Sequence, residues 1–237
     1  MARLFNSGDR AELDKDPQAI ATMFSFVAPR YDLVNDLASL GQEMHWRRGV
    51  VDALHPVSGE IILDLAAGTG ASSFPIAKTG ATVISVDLTE AMVQVGKTRA
   101  PRHRFVVGDG FALPFGDGVF DAATISFGLR NVTDPLAVLS EMRRVVRPLG
   151  TLVICEFSRP TTLLIRMVHR RWLRWVLPIL SRIYSSNFMA YSYLSESIFD
   201  WPDQRGLATM MQSAGWTQIQ WRNLTCGIVA LHRAKRP

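Results

Sequence analysis

"IILDLAAGTGASS", residues 61–73, is the stretch on which the fold turns. It opens on a short unbroken β-rich run, Ile61–Leu65, as a strand buried on both faces requires. It then bends through Gly68-Thr69-Gly70 and leads into a short helix closed by Gly80. The downstream chain repeats this pattern. "TVISVDL" (82–88) reads as a second strand, and "TEAMVQVGKTRA" as a second helix with Thr89 as its N-cap. "RFVVGD" (104–109) and "FDAATISF" (120–127) read as the third and fourth strands. "DPLAVLSEMRRVV" (134–146) is a helix with Asp134 as N-cap, Pro135 in first position and Pro148 beyond its end. "GTLVICEF" (150–157) is the fifth strand.

Strands alternating with helices predict an α/β chain with a doubly wound, mostly parallel sheet and right-handed crossovers. A helix near "DQRGLATMMQSAG" precedes two last strands, "WTQIQWRNL" (216–224) and "GIVALHRA" (227–234), joined by a short turn. That hairpin predicts a seven-stranded sheet with one reversed strand, the last. Upstream, residues 1–20 are polar and 21–54 carry apolar positions at helical spacing. The expected organisation is an N-terminal helical cap, 1–55, then one domain, 56–237, with an insertion at about 158–204.

The chain has 237 residues, of which 48% are hydrophobic, enough for one full core and a small cap. No signal peptide is expected, and no run of eighteen apolar residues could span a bilayer. Cys155 and Cys226 are too few for a disulfide framework and read as reduced thiols. The five histidines (45, 55, 103, 169, 232) are scattered, so no metal is expected.

The Gly-x-Gly turn alone is a weak signal. A dinucleotide-binding turn wants a third glycine, and Ser73 stands in that place. Asp64, four residues before Gly68, would repel a phosphate but favour an ammonium group. Asp87 ends the second strand, 19 residues after Gly68, where an acid accepts hydrogen bonds from a ribose diol. Asp109 ends the third, where a carboxylate or its neighbouring amides could meet an adenine edge. Each acid taken singly reads equally well as a loop or capping residue. Together they mark the carboxyl ends of three successive strands, where open α/β sheets bind ligands. A ligand with ribose, adenine, an amino acid head and no phosphate is S-adenosylmethionine, and the pattern resembles the class I (Rossmann-like) S-adenosylmethionine-dependent methyltransferases.

Further segments narrow the resemblance. "YDLVNDLASLGQEMHW" (31–46), "LPFGDGVFDAATISFGLRNVTDP" (113–135) and "SSNFMAYSYLSESI" (185–198) resemble the signature segments of the ubiquinone/menaquinone biosynthesis C-methyltransferases. "WPDQ" (201–204), "AGW" (214–216) and "WRNLTCGIVALH" (221–232) look closest to the actinobacterial demethylmenaquinone methyltransferases. The likeness implies methylation of a ring carbon of a prenylated naphthoquinol, demethylmenaquinol, to give menaquinol. The alternative within the family is the benzoquinol precursor of ubiquinone or another prenylated lipid. By resemblance, cofactor contacts fall on Thr69, Asp87, Asp109, Gly110 and Ser126, beside Asp64, Gly68 and Gly70. The chain departs from the family pattern at Glu43, where His is frequent, and at Phe188-Met189, where Pro-Glu is usual. It departs again at Leu149 and Gly110, where Gly and Ala are usual.

Ring-carbon methylation needs an electron-rich acceptor, which deprotonating a ring hydroxyl provides. A cation beside that hydroxyl favours the phenolate, and Arg130 could be that cation. An arginine is a poor base but a good electrostatic partner. Asn131 can orient a hydroxyl; Tyr31, Tyr191 and Glu43 complete the candidates for proton handling or orientation. The competing readings are a surface ion pair for Arg130, core packing for Tyr31 and a backbone-bonded strand serine for Ser126. Gly128, between Ser126 and Arg130, reads as the residue that lets the chain turn. Ser73 argues against a nicotinamide reductase. The set Asp64, Gly68, Gly70 and Asp87 argues against a non-catalytic scaffold.

Net charge is +5, and its placement says more than its size. Residues 157–195 hold six arginines (159, 166, 170, 171, 174, 182) and not one Asp or Glu. Taken as one helix, 163–180 puts Arg166, Arg170 and Arg174 on a stripe, with Arg171 beside it. Leu164, Ile165, Val168, Trp172, Trp175, Val176 and Ile179 take the opposite arc, and Pro178 bends or ends the helix. This resembles a basic interfacial helix, an anionic membrane surface being the partner and the inner face of the cell membrane the location of an otherwise cytoplasmic protein. The alternative is a core-packed lid whose arginines are merely solvated. No nucleic-acid module accompanies the charge. A homo-oligomer is compatible with everything in the sequence.

Overall fold

The computed structural model of the chain describes residues 15–28, 31–176, 179 and 188–237, excluding the side chains of 27, 34 and 188–192. Seven strands form one sheet: β1 (Ile61–Leu65), β2 (Thr82–Asp87), β3 (Arg104–Val107), β4 (Phe120–Ser126), β5 (Val146–Phe157), β6 (Thr217–Leu224) and β7 (Val229–Lys235). Their order across the sheet is β3-β2-β1-β4-β5-β7-β6. β1 to β5 pair in parallel, and β7 lies antiparallel to both β5 and β6. The reversed last strand expected from the hairpin is therefore present, inserted between its partners. The order reverses between β1 and β4, so the crevice at their carboxyl ends is the switch point where such sheets bind ligands.

The helices are α1 (Pro17–Val27), α2 (Tyr31–Ala38), α3 (Gln42–Leu54), α4 (Ser73–Ala77), α5 (Glu90–Arg99), α6 (Pro135–Val145), α7 (Leu163–Arg171), α8 (Phe188–Asp200) and α9 (Gln204–Ser213). Successive strand residues go to opposite faces, as a period of two demands. Leu152 and Ile154 pack in one core with Val138, Leu139 and Met142 of α6 and Leu207 and Met211 of α9. Val153 and Cys155 pack in the other, with Trp46, Val50 and Leu54 of α3 and Ile76 of α4. α3, although part of the N-terminal helical stretch, is thus a sheet-covering helix. α1 instead joins a third cluster: Ile20 and Met23 with Met92 of α5, Leu173, and Tyr193 and Ile198 of α8.

Asp134 caps α6 as its sequence predicts, its carboxylate accepting from the Ala137 amide at 3.1 Å, with Pro135 in the first turn. Thr89 makes no side-chain cap on α5. Its own amide donates to the Asp87 carboxylate at 2.8 Å, which ties the helix start to the end of β2. The basic segment departs from one long helix. α7 ends at Arg171 and passes into a π-helical turn, Trp172–Val176. Residues 177, 178 and 180–187, including Pro178 and Arg182, lie outside the described residues. The faces differ too: His169 and Leu173 turn inward, while Leu164, Val168, Trp175 and Ile179 are exposed.

Candidate active site

A cavity of about 430 Å³ lies over the carboxyl ends of β1, β2 and β4. Of the predicted cofactor residues, Gly68, Thr69, Asp87, Asp109, Gly110 and Ser126 line it. So do Tyr31, Glu43, Arg130 and Asn131. Asp64 and Gly70 stand behind the wall. Tyr191 lies in α8, and its side chain is outside the described residues.

The floor is the turn after β1. Ala66, Gly68 and Gly70 all take positive φ (52°, 56° and 86°), which bends the backbone sharply across the strand end. A Cβ on Gly70 would come within 2.7 Å of the Phe105 ring and 2.9 Å of the Phe74 ring, so only glycine fits. The Gly68 amide donates to Asp87 at 2.7 Å. Asp87 thus accepts from two amides, of Gly68 and Thr89, and joins the β1 turn to the β2 turn. Burial raises its pKa, and these bonds pull it back. Asp109 accepts from the Phe111 amide at 3.0 Å. The Thr69 hydroxyl donates to Asp32 of α2 at 2.9 Å, so this side chain already has a protein partner.

Asp64 is fully buried, and burial pushes its pKa up to about 7 against the opposing hydrogen bond from Ser73. Ser73, which stands where a dinucleotide turn would carry glycine, donates to that carboxylate at 2.5 Å. The file of hydroxyls continues, Ser73 to Ser85 at 2.6 Å and Ser85 to His103 at 2.7 Å. The serine therefore has a definite job as the partner of a buried acid.

The other wall is the turn after β4. Phe127, not Gly128, takes the left-handed conformation (φ 58°), and Gly128 sits at −110°. The expectation that Gly128 turns the chain is corrected. Its glycine is required because a Cβ there would lie 2.4 Å from the Ala66 Cβ. Close approach of the two turns, not backbone freedom, selects it. Next comes a single 3-10 turn, Leu129–Asn131. Ser126 Oγ, Asn131 Oδ1 and Arg130 Nε are buried polar atoms without a hydrogen-bond partner. Buried polar atoms are seldom left so, and three on one cavity wall mark a place suited to a polar ligand.

Arg130 is only 3% exposed and is not a surface ion pair. Its Nη1 donates to Glu156 Oε1 at 2.9 Å and to the Phe127 carbonyl, and its guanidinium lies 5.1 Å from the centre of the Phe157 ring. Tyr31 opens α2, edge-on to Phe24 at 5.9 Å. Burial raises its phenol pKa, with Arg130 opposing, so it stays protonated at neutral pH and can donate but not act as base. Glu43 pairs with Arg47 one helical turn on, and burial raises its pKa as well.

Three contributors escape a reading of the sequence. Glu156, 1% exposed, holds Arg130. Its one signal is a lone carboxylate inside the apolar run "TLVICEF". Asp32 holds Thr69 and pairs with Arg99. Arg47 bridges Glu43 and Ser72. Asp32 carries no local signal, because Thr69 and Arg99 are far away in the chain, and the i,i+4 spacing of Arg47 from Glu43 does not reveal its bond to Ser72.

The ubiE/COQ5 methyltransferase family model matches residues 12–236. The chain belongs to this family. Among its relatives, the demethylmenaquinone methyltransferase of Beutenbergia cavernae is 54% identical over 227 residues, 96% of this chain and 95% of the relative. That of Paenarthrobacter aurescens is 52% identical over 229 residues, 97% and 90%. In three dimensions the chain resembles one in the complex between the Haloferax volcanii Trm112 methyltransferase activator and the putative methyltransferase. That likeness has a TM-score of 0.64 at 15% identity, covering 90% and 97% of the two chains. It shows the fold; family membership rests on the sequence match.

Proposed function

We propose that the chain methylates a ring carbon of demethylmenaquinol, giving menaquinol, with S-adenosylmethionine as methyl donor. The family and the demethylmenaquinone methyltransferases at 52–54% identity support this. The observation that carries it is a single cavity whose lining holds both a cofactor-like set, Gly68, Asp87 and Asp109, and an acceptor-like set, Arg130, Asn131 and Tyr31.

The cofactor fits the residues present. Asp87 keeps acceptor capacity for a ribose diol, since each of its oxygens accepts one bond and has a second lone pair. The unpartnered Ser126 hydroxyl can meet a polar group of the cofactor. Asp64, behind the turn, offers negative charge to an ammonium head. When bound, S-adenosylmethionine supplies an electrophilic methyl whose C–S bond breaks as the new C–C bond forms, leaving S-adenosylhomocysteine. Arg130 stabilises the acceptor's ring oxygen as its proton passes to water, which enriches the ortho carbon. After methylation that carbon releases its own hydrogen as a proton, and the ring regains its aromaticity and its hydroxyl. Before its proton leaves, the hydroxyl donates to the unpartnered Oδ1 of Asn131, which orients it, and Tyr31 donates to the ring's other oxygen. The aromatic walls, Phe127, Phe157 and Trp172, exclude water from the reacting centre.

The acceptor's prenyl tail must leave the cavity. Leu40, in the turn before α3, and Val168 of α7 both line the cavity and are 69% and 58% exposed. They form an apolar rim. Beyond Val168, α7 and its π-turn expose Leu163, Leu164, Met167 and Trp175. Met167 and Trp175 also edge a second hollow of about 240 Å³ lined by Arg170, Arg171 and Arg174. Apolar side chains beside arginines fit an anionic bilayer surface, from which a tailed quinol would enter. No described helix is long and apolar enough to cross a membrane.

The test is an assay with methyl-labelled S-adenosylmethionine and reduced demethylmenaquinol or a benzoquinol analogue. Label is expected in the naphthoquinol at a rate well above the benzoquinol. Asp87→Ala should weaken cofactor binding by roughly 10- to 100-fold, the worth of one or two charged hydrogen bonds. Equal transfer to both quinols would overturn the acceptor reading, and wild-type cofactor affinity in Asp87→Ala the site.

A further inference from the structure

Glu156 is a buried charge with no part of its own in the methyl transfer. It lies on β5 next to Cys155, Ile154, Val153 and Leu152, all of them without solvent exposure. Such a carboxylate gives up its hydration and recovers that loss only through good partners. It accepts three hydrogen bonds. Oε1 takes Arg130 Nη1 and the Phe157 amide, both at 2.9 Å, and Oε2 takes the Arg130 amide at 3.3 Å. Two of the three come from Arg130. Glu156 does not line the cavity, whereas Arg130, Phe127 and Phe157 do. A buried ion pair is a weak device for stability, because well-packed apolar residues in its place usually do as well. Its effect here is geometric and electrostatic: from behind the cavity wall it fixes the side chain of Arg130 in that wall and neutralises part of its charge.

We propose that Glu156 is a positioning residue for Arg130, setting both the direction of the guanidinium and how much of its charge reaches the acceptor's ionising hydroxyl. This rests on the reading of Arg130 as the cation beside that hydroxyl. A fully compensated arginine would do little for a phenolate, and an unrestrained one would turn to water. One carboxylate bound to a single Nη, with Nε unpartnered, leaves the guanidinium held and partly unspent.

Two substitutions separate the effects. Glu156→Gln keeps an acceptor oxygen but removes the charge. More of the positive charge then reaches the bound acceptor, so the pH at which kcat rises to its plateau should move down by roughly one unit, the effect of one partly screened charge. The plateau itself should fall by roughly 3- to 10-fold. Glu156→Asp keeps the charge and withdraws it by one methylene. It should lower kcat roughly 10-fold without the acid shift, at unchanged KM for S-adenosylmethionine. In an Arg130→Gln background, Glu156→Gln should have no further effect on the profile, since it acts through the arginine. The measurement is turnover of short-chain demethylmenaquinol from pH 5 to 9. Circular dichroism and S-adenosylmethionine binding check folding. A wild-type profile in both Glu156 variants, with Arg130→Gln impaired, overturns the proposal alone. A wild-type profile in Arg130→Gln overturns the underlying reading of Arg130. An acid shift from Glu156→Gln that persists with Arg130→Gln also refutes the proposal.

Discussion

Burial holds the Asp64 carboxyl near neutrality, and its position in the middle of β1 leaves no route to water. Its folded pKa, about 7, lies above the unfolded value near 3.9, so the native state binds the extra proton. Stability is then greatest below about pH 4 and falls as pH rises toward 7; above 7 the penalty is fully present. Asp64→Asn removes that penalty and still offers an oxygen to Ser73. The ligand-free variant should match the wild type near pH 4 and exceed it at pH 8 by roughly 2–4 kcal/mol. Its affinity for S-adenosylmethionine should fall at pH 8, because the negative charge behind the turn is gone. Thermal melts at the two pH values check this; a variant less stable than wild type at pH 8 refutes it. Asp64 is legible in the sequence as an acid beside a glycine turn. Glu156 is not, because its meaning depends on a pairing far apart in the chain. Ser126 lies opposite Cys155 in the β4–β5 register, and only that register sets the turn holding Arg130 beside Glu156.

Elements are legible where local rules decide them. Both ends of α6 follow from Asp134, Pro135 and Pro148, and β1 from a short run apolar except for Asp64. The start of β5 is not, and Leu149 shows why. The strand begins at Val146, before a tight bend in which Leu149 takes φ 63° and is 75% exposed. Gly150 follows in a slot where a Cβ would lie 2.4 Å from Val146 Cγ1 and 2.8 Å from two carbonyls. A left-handed leucine costs about 1–2 kcal/mol, and glycine returns about 0.5–1 kcal/mol of that as unfolded-state entropy. Leu149→Gly should therefore raise the melting temperature by roughly 1–3 °C, while Leu149→Ala, which keeps the strain, should not. A fall in melting temperature for Leu149→Gly would show that the exposed leucine stabilises the bend by contact. The π-turn at Trp172 is equally hidden: nothing in the helical period of 163–180 marks where a turn widens.

For the whole molecule, the alternation of strands and helices reveals the sheet, but not how α1, α7 and α8 close over it. That closure depends on contacts such as Met23 with Met92, Leu173 and Tyr193, which no local pattern encodes. It also decides which face of the basic segment is left outside. The inward residues are His169 and Leu173, so apolar Leu164, Val168 and Trp175 are exposed next to the arginines. Arg166 is engaged by the Pro160 carbonyl, and Arg170 lies 6.0 Å from the Phe199 ring centre. Arg170, Arg171 and Arg174 remain together around the second hollow. Each cation near an anionic surface contributes about 1 kcal/mol, so reversing all three to Glu should weaken binding to anionic vesicles rich in phosphatidylglycerol by roughly 100-fold or more. Binding to purely zwitterionic vesicles should change little. Turnover of a water-soluble short-chain quinol should be retained, because none of the three lines the main cavity. Turnover of long-chain demethylmenaquinol embedded in the anionic vesicles should fall with the binding. Undiminished sedimentation of the triple variant with anionic vesicles would assign the arginines to a solvated lid, with the apolar rim alone receiving the tail.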